Sequence, residues 1–285
     1  MSTTAGRPAL ERLDAHLEAL RDGADLPFPD DLAHLADLTH LTHLTDDLTH
    51  FPDDPADTLV RRTLGRLARL PREPKDVLAR EAGGLLTEFR AGLCPWNAAA
   101  LRLLDDAYVF AATGPRRHAE WAHDVLAVLH RSVRDPRGWI RLDWDRANTA
   151  RDTVPAYPFD PPAASALPGR LHRLEPEAAV AALAVMAEEW QSEPAPVRSR
   201  PDRDAVLADA RTLLDRYGPA ASHWTNATAA ALDPAPDFLA AGLRGTRSHS
   251  FLTSEYLGGL DLVEDLGLVV VTDDEVGVFW SFGAY

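Results

Sequence analysis

Asp143 and Asp145 stand among Trp139, Trp144 and Arg146, with Arg151 and Tyr157 a little further along the chain. Carboxylates can move protons, guanidinium groups can grip anions, and aromatic rings can exclude water. Such a mixture suits a small-molecule pocket or a partner contact. It also suits a surface-covering connection held by ordinary ion pairs. An acid/base enzyme built here would use Asp143, Asp145 or His123 to move the proton. Trp139, Trp144, Arg146, Arg151 and Tyr157 would bind its small polar substrate.

Histidines supply a second set. Read as a helix, residues 30–51 place Leu35, Leu38, Leu41, Leu44 and Leu48 on one half, and His40, His43, Asp47 and His50 in a stripe on the other. Two histidines at i and i+3 can share one metal ion. Residues 40 to 50 rise about 15 Å along a helix, so one ion could take only His40/His43 or His43/Asp47. These three are the metal candidates, and a solvated polar face is the preferred expectation. The stretch Leu38-Thr39-His40-Leu41, with Phe28-Pro29-Asp30-Asp31 repeated as Phe51-Pro52-Asp53-Asp54, also resembles one unit of a leucine-rich repeat. Such units cannot bury their faces singly, and no third copy follows.

Other reactive groups are isolated. Glu120-Trp121-Ala122-His123 is similar to the Glu-x-x-His pair of carboxylate di-iron bundles, which need two copies where this chain has one. His118 and His130 fall on the same expected helix. Cys94 is the only cysteine, and a lone buried thiol is its preferred reading; Lys75 is the only lysine and sits in Arg72-Glu73-Pro74-Lys75-Asp76, a polar helix start. Arg62, Arg66 and Arg69 form a helical stripe suited to carboxylates or phosphates, or to the surplus acids of the chain itself. Ser248 and His249 lie in a basic loop, and adjacency alone gives them no triad geometry. No Walker phosphate loop, G-x-G-x-x-G after a strand, zinc spacing or EF-hand loop occurs, so no cofactor is implied.

The net charge of −15 over 285 residues disfavours a general nucleic-acid binder and suits a basic partner or cationic substrate. Arginine in place of lysine, with abundant Ala, Leu, Asp and Pro, points to a high-GC bacterial genome. The absence of a long apolar run or secretion-type N-terminus, and the single thiol, lead us to expect a cytoplasmic protein away from membranes.

The elements that must position these groups are read as follows. Helices are expected over 9–22, 57–70, 75–90, 97–112, 115–133, 178–191, 202–217 and 237–243, with a further helical stretch from Ser222. Leu268–Thr272 and Val276–Phe282 flank the turn Asp273-Asp274-Glu275 and form a hairpin, preceded by an amphipathic segment over 253–266. Val276, Val278, Trp280 and Phe282 share one face of their strand. The first run is apolar on both faces, so each must be covered. Trp139–Trp144 is the expected third strand, and 151–169 is a proline-rich connection with exposed Tyr157 and Phe159.

The expected fold is mainly α, with about ten helices and a small C-terminal β-hairpin or sheet, α+β overall. It is read as one globular unit over 1–285, with a weaker subdivision into a helical half, 1–150, and a helical half plus hairpin, 170–285. For function, the leading expectation is a partner-binding or auxiliary subunit, in a homo-oligomer or a small-molecule biosynthetic complex. The alternatives are the acid/base enzyme, an immunity-type acidic binder of a basic protein, and a His/carboxylate metal enzyme.

Overall fold

The computed structural model describes residues 6–23, 59, 62–63, 65–67, 69–70, 74–93, 95–104, 109–130, 132–133, 157–190, 196–253 and 262–284. The chain divides into two units, Met1–Ala98 and Ala99–Tyr285.

In the first unit, α1 (Gly6–Arg21) and α2 (Lys75–Ala91) pack together. The helical spacing seen in the sequence puts Leu13, Leu17 and Leu20 of α1 in the core, with Ala82, Leu85, Leu86 and Phe89 of α2. Arg90 bridges them, donating to Asp14 at 3.1 Å and Glu18 at 2.8 Å. The arginine stripe is exposed at Arg62, Arg66 and Arg69. Arg66 pairs with Glu88, the surplus-carboxylate outcome.

The helix α3 (Pro95–Leu103) leads into the second unit. There the organising layer is a five-stranded antiparallel sheet of order β1-β5-β4-β3-β2. Its strands are β1 (Val109–Pro115), β2 (His172–Leu174), β3 (Ser222–Thr225), β4 (Leu262–Val271) and β5 (Glu275–Ala284). The expected hairpin is present and longer than read, and it forms the middle of the sheet. Around it lie α4 (Trp121–Leu129), α5 (Pro176–Val185), α6 (Arg203–Asp215) and α7 (Phe238–Gly245).

The mainly α reading with about ten helices is therefore corrected: the described residues form the helices α1–α7 and a five-stranded antiparallel sheet in place of a small β element. Three misread segments explain the difference. Val109–Ala112 is a continuous apolar run, which periodicity cannot distinguish from buried helix. It is buried throughout and pairs with β5, Phe110 opposite Trp280. His223 and Trp224, read as the start of a helix, alternate in burial and pair with β4. From Leu262 the supposed amphipathic segment is already β4. The expected strand at 139–144 lies outside the described residues.

Both sheet faces are covered, as a hairpin apolar on both sides requires. Val276, Val278, Trp280 and Phe282 do share a face, packed with Val269 and Val271 and with Ala122, Val125, Val128 and Leu129 of α4. Tyr157 and Phe159, expected to be exposed, lie in this same core at 2% and 1% exposure. The aromatic rings of the proline-rich segment are thus core side chains: Phe159 meets Phe110 edge-on at 5.2 Å and Trp280 at 5.8 Å. The opposite face carries Gly277, Phe279, Ser281 and Gly283. Tyr217, beyond α6, stands edge-on to Phe279, and Trp190, beyond α5, donates to Ser281 Oγ at 3.0 Å.

Two glycines make this close packing feasible. A Cβ at Gly267 would overlap the Trp280 indole, and one at Gly277 would overlap the Tyr217 hydroxyl. Gly277→Val is expected to cost about 1–3 kcal/mol, because overpacking a dense core forces shifts on both partners. Equilibrium denaturation checks this; a loss of no more than about 0.5 kcal/mol, the range of surface substitutions, would contradict the packing.

Candidate functional site

Two of the polar clusters among the described residues lie one at each end of the central hairpin.

The first lies where β1 turns into α4. Arg116, Arg117 and His118 follow Pro115 directly, and α4 begins at Trp121. Asp124, in the first turn of that helix, points back at the loop. It accepts from the backbone N–H of Arg117 at 3.1 Å and of His118 at 3.3 Å, so it satisfies loop amides that would otherwise be orphaned. It also accepts from Arg116 Nε at 3.0 Å, and its Oδ1 lies 2.6 Å from His118 Nδ1. Burial alone would raise the Asp124 pKa. The bonds from His118, the two backbone amides and Arg116 outweigh it and hold the carboxyl below its usual range.

An ionised Asp124 only accepts, so His118 Nδ1 carries the proton, and the imidazole is fixed in the tautomer whose Nε2 has the lone pair. The carboxylate side chain is 2% exposed and the histidine 52%. A buried acid orienting an accessible imidazole is the geometry of a general base. His123, the sequence candidate, is beside it: its ring centre lies 5.4 Å from that of His118, and its Nε2 is 3.9 Å from Glu120 Oε2. That pair is exposed, and no buried group fixes its geometry. Among the described residues no group of three or more His, Cys, Asp or Glu is placed to hold a metal ion.

The second place is the start of β4. Asp265 shares a face with Gly267 and Val269 and is 1% exposed. Its Oδ2 accepts from Trp280 Nε1 at 2.8 Å, Asn226 Nδ2 at 3.1 Å and the Phe251 backbone at 3.1 Å. Asn226 in turn donates to the His249 carbonyl at 2.9 Å and accepts from Gly267 N–H at 2.7 Å. Ser248 Oγ donates to the Asp265 carbonyl at 2.5 Å. Burial pushes the Asp265 carboxyl up to about 6 in spite of these donors. His249 faces His172, 5.6 Å between ring centres; burial, then the neighbouring His249 charge, lowers the His172 pKa.

Ser248 meets a carboxylate here, whereas the His249 ring faces His172, so the two form no relay. Ser248 bonds backbone and Asp265, and the Asp265 donors all come from inside the protein. Asp265 is thus a structural hub that ties the 248–251 loop to the sheet, whereas His118 is the group a substrate could reach.

Of the other sequence candidates, Tyr157 is a core residue, as described above. Asp143, Asp145, Trp139, Trp144, Arg146, Arg151, His40, His43, Asp47 and Cys94 lie outside the described residues. Asp124 and Arg116 were missed. Their signal was an acid in the first turn of a helix closely following Arg-Arg-His, a spacing that lets a carboxylate fold back on the preceding loop.

No known protein family matches the chain, and neither curated proteins nor solved structures give a match. Among the described residues no helix is long and apolar enough to cross a membrane.

Proposed function

We propose that the protein is an acid/base enzyme acting on a small polar substrate, with His118 as the proton-transferring group and Asp124 as its orienting carboxylate. The observation that carries this reading is the 2.6 Å contact between a buried carboxylate and Nδ1 of a half-exposed histidine. In the reaction, Nε2 would take a proton from the substrate or from a water attacking it, and Asp124 would stabilise the imidazolium that forms. With His118 acting as the base, the attacking group is water or belongs to the substrate. The reading takes up the acid/base alternative offered by the sequence, with His118 as the base in place of Asp143, Asp145 or His123.

p-Nitrophenyl acetate is a suitable probe of imidazole reactivity. His118→Ala is expected to lower its hydrolysis at least tenfold, a change of about 1.4 kcal/mol in the barrier. Asp124→Asn should fall between, and His123→Ala should stay near the parent rate. Equal rates for the parent and His118→Ala would end the proposal.

The partner-binding reading, whether auxiliary subunit or binder of a basic protein, draws its support from the charge of −15. Untagged protein that co-elutes with a basic partner, and hydrolyses the ester no faster than His118→Ala, would favour it.

A further inference from the structure

Arg116 is more deeply engaged at this site than its sequence position suggests. Its backbone N–H donates to the Asp274 carbonyl at 2.8 Å. The guanidinium donates from Nε to Asp124 Oδ2 at 3.0 Å and from Nη1 to the Thr272 carbonyl at 2.8 Å. Nη2 reaches the carbonyls of His118 and Ala119, each at 3.2 Å. The side chain is 16% exposed. One planar group therefore spans three pieces of chain: the β4–β5 turn, the loop carrying His118, and the first turn of α4.

These contacts all point inward, so Arg116 is occupied in holding the site together. A fixed fork of donors can reach three separated acceptors at once, which the three donors radiating from a lysine ammonium cannot reproduce. The β4–β5 turn is itself rigid. Thr272 Oγ1 accepts from the backbone of Asp274 and Glu275 at 3.2 and 2.9 Å, and the turn closes the central hairpin of the sheet. Through Arg116 the loop is referred to that fixed point.

We propose that Arg116 is a positioning residue that holds the Asp124–His118 pair in working geometry by anchoring it to the β4–β5 turn. This rests on the acid/base reading of His118. Without the guanidinium, Asp124 loses one of the donors that keep it ionised, and two loop carbonyls lose their partner. The carboxyl then moves up toward its ordinary range, and His118 spends less time bonded to it.

The test uses the full chain with Arg116→Gln and Arg116→Lys, alongside His118→Ala. Three signals are read: hydrolysis of p-nitrophenyl acetate, the titration of the Asp124 carboxyl carbon by NMR, and the downfield proton on His118 Nδ1. For Arg116→Gln the expected result is a folded protein with hydrolysis down about tenfold, a raised Asp124 titration midpoint and a lost or broadened Nδ1 proton. Arg116→Lys should lie between. An unchanged Asp124 titration and Nδ1 proton in Arg116→Gln overturn the proposal whatever the activity does. If instead His118→Ala hydrolyses the ester at the parent rate, the acid/base reading fails, and the two NMR signals still decide whether Arg116 positions the pair. Should Arg116→Gln not fold, Arg116→Lys carries the test: a weakened Nδ1 proton supports the proposal and an unchanged one overturns it.

Discussion

Asp265→Ala is expected to lower stability at pH 7 by about 2–4 kcal/mol, measured by equilibrium denaturation. The substitution leaves the Trp280 indole N–H, the Asn226 amide and the Phe251 backbone N–H without their shared acceptor in the buried interior. Each stranded donor costs about 1–3 kcal/mol. Against that, alanine removes a buried charge, so the net loss is smaller than the three costs together. Asp265→Asn separates the two effects. An asparagine can keep its oxygen where the three donors converge and aim its amide at Ser248 Oγ, 3.5 Å from the other carboxylate oxygen. It should be at least as stable as the parent at pH 7.

The pH dependence follows from the sign of the shift. The Asp265 pKa is raised in the folded protein, from 3.8 to about 6. Its contribution to stability is therefore fully present below about 3.8 and is lost as pH rises through 6. From this group alone the protein should be about 3 kcal/mol more stable at pH 3 than at pH 7, offset by whatever other groups lose in acid. The difference between parent and Asp265→Asn isolates it. Parallel stability curves for the two proteins between pH 4 and pH 7 would show that Asp265 does not titrate there.

Removing the residues after Gly267 is expected to have a still larger effect, the loss of the sheet. The cut deletes β5 and the part of β4 that pairs with β3. The amides of residues 109–114 then have no strand to bond, Ser222–Thr225 keep only β2 as a neighbour, and α4 loses the face formed by Val276, Val278, Trp280 and Phe282. Hydrogen exchange at those amides should become fast, approaching the unprotected rate. Protection retained in Val109–Pro115 would mean that the hairpin is dispensable to the sheet.

How far this was legible in the sequence differs between residues. The hairpin was clear because β-branched and aromatic residues alternate around a polar turn, and Gly267 lay just outside the stretch recognised as strand. Carrying the alternation of Val271 and Val269 back through Gly267 reaches Asp265, which puts a carboxylate on a core face. That is the reading that would have found the hub. Phe110, Ala111 and Ala112 gave no such lead, since an apolar run without period is equally a buried helix. Four-residue β3 is too short to show a pattern, and its state is set by the pairing of Trp224 with Val269. At the site, His118 and His123 fall on one expected helix, but their ranking is not in the sequence. It depends on which ring a buried carboxylate meets, and that follows from how α4 turns Asp124 toward the loop.

The strand order carries a consequence for synthesis. β4 and β5, which join β1 to β3 in the sheet, follow β1, β2 and β3 along the chain, so those three are made before either. Until β4 and β5 emerge, β1 has no strand to pair with, and α4 carries an apolar stripe with no sheet to rest on. Pairings between residues so far apart in sequence also close slowly. Between the synthesis of β1 and that of β5 the nascent chain thus carries greasy surfaces uncovered, which is the condition in which chaperones engage a polypeptide.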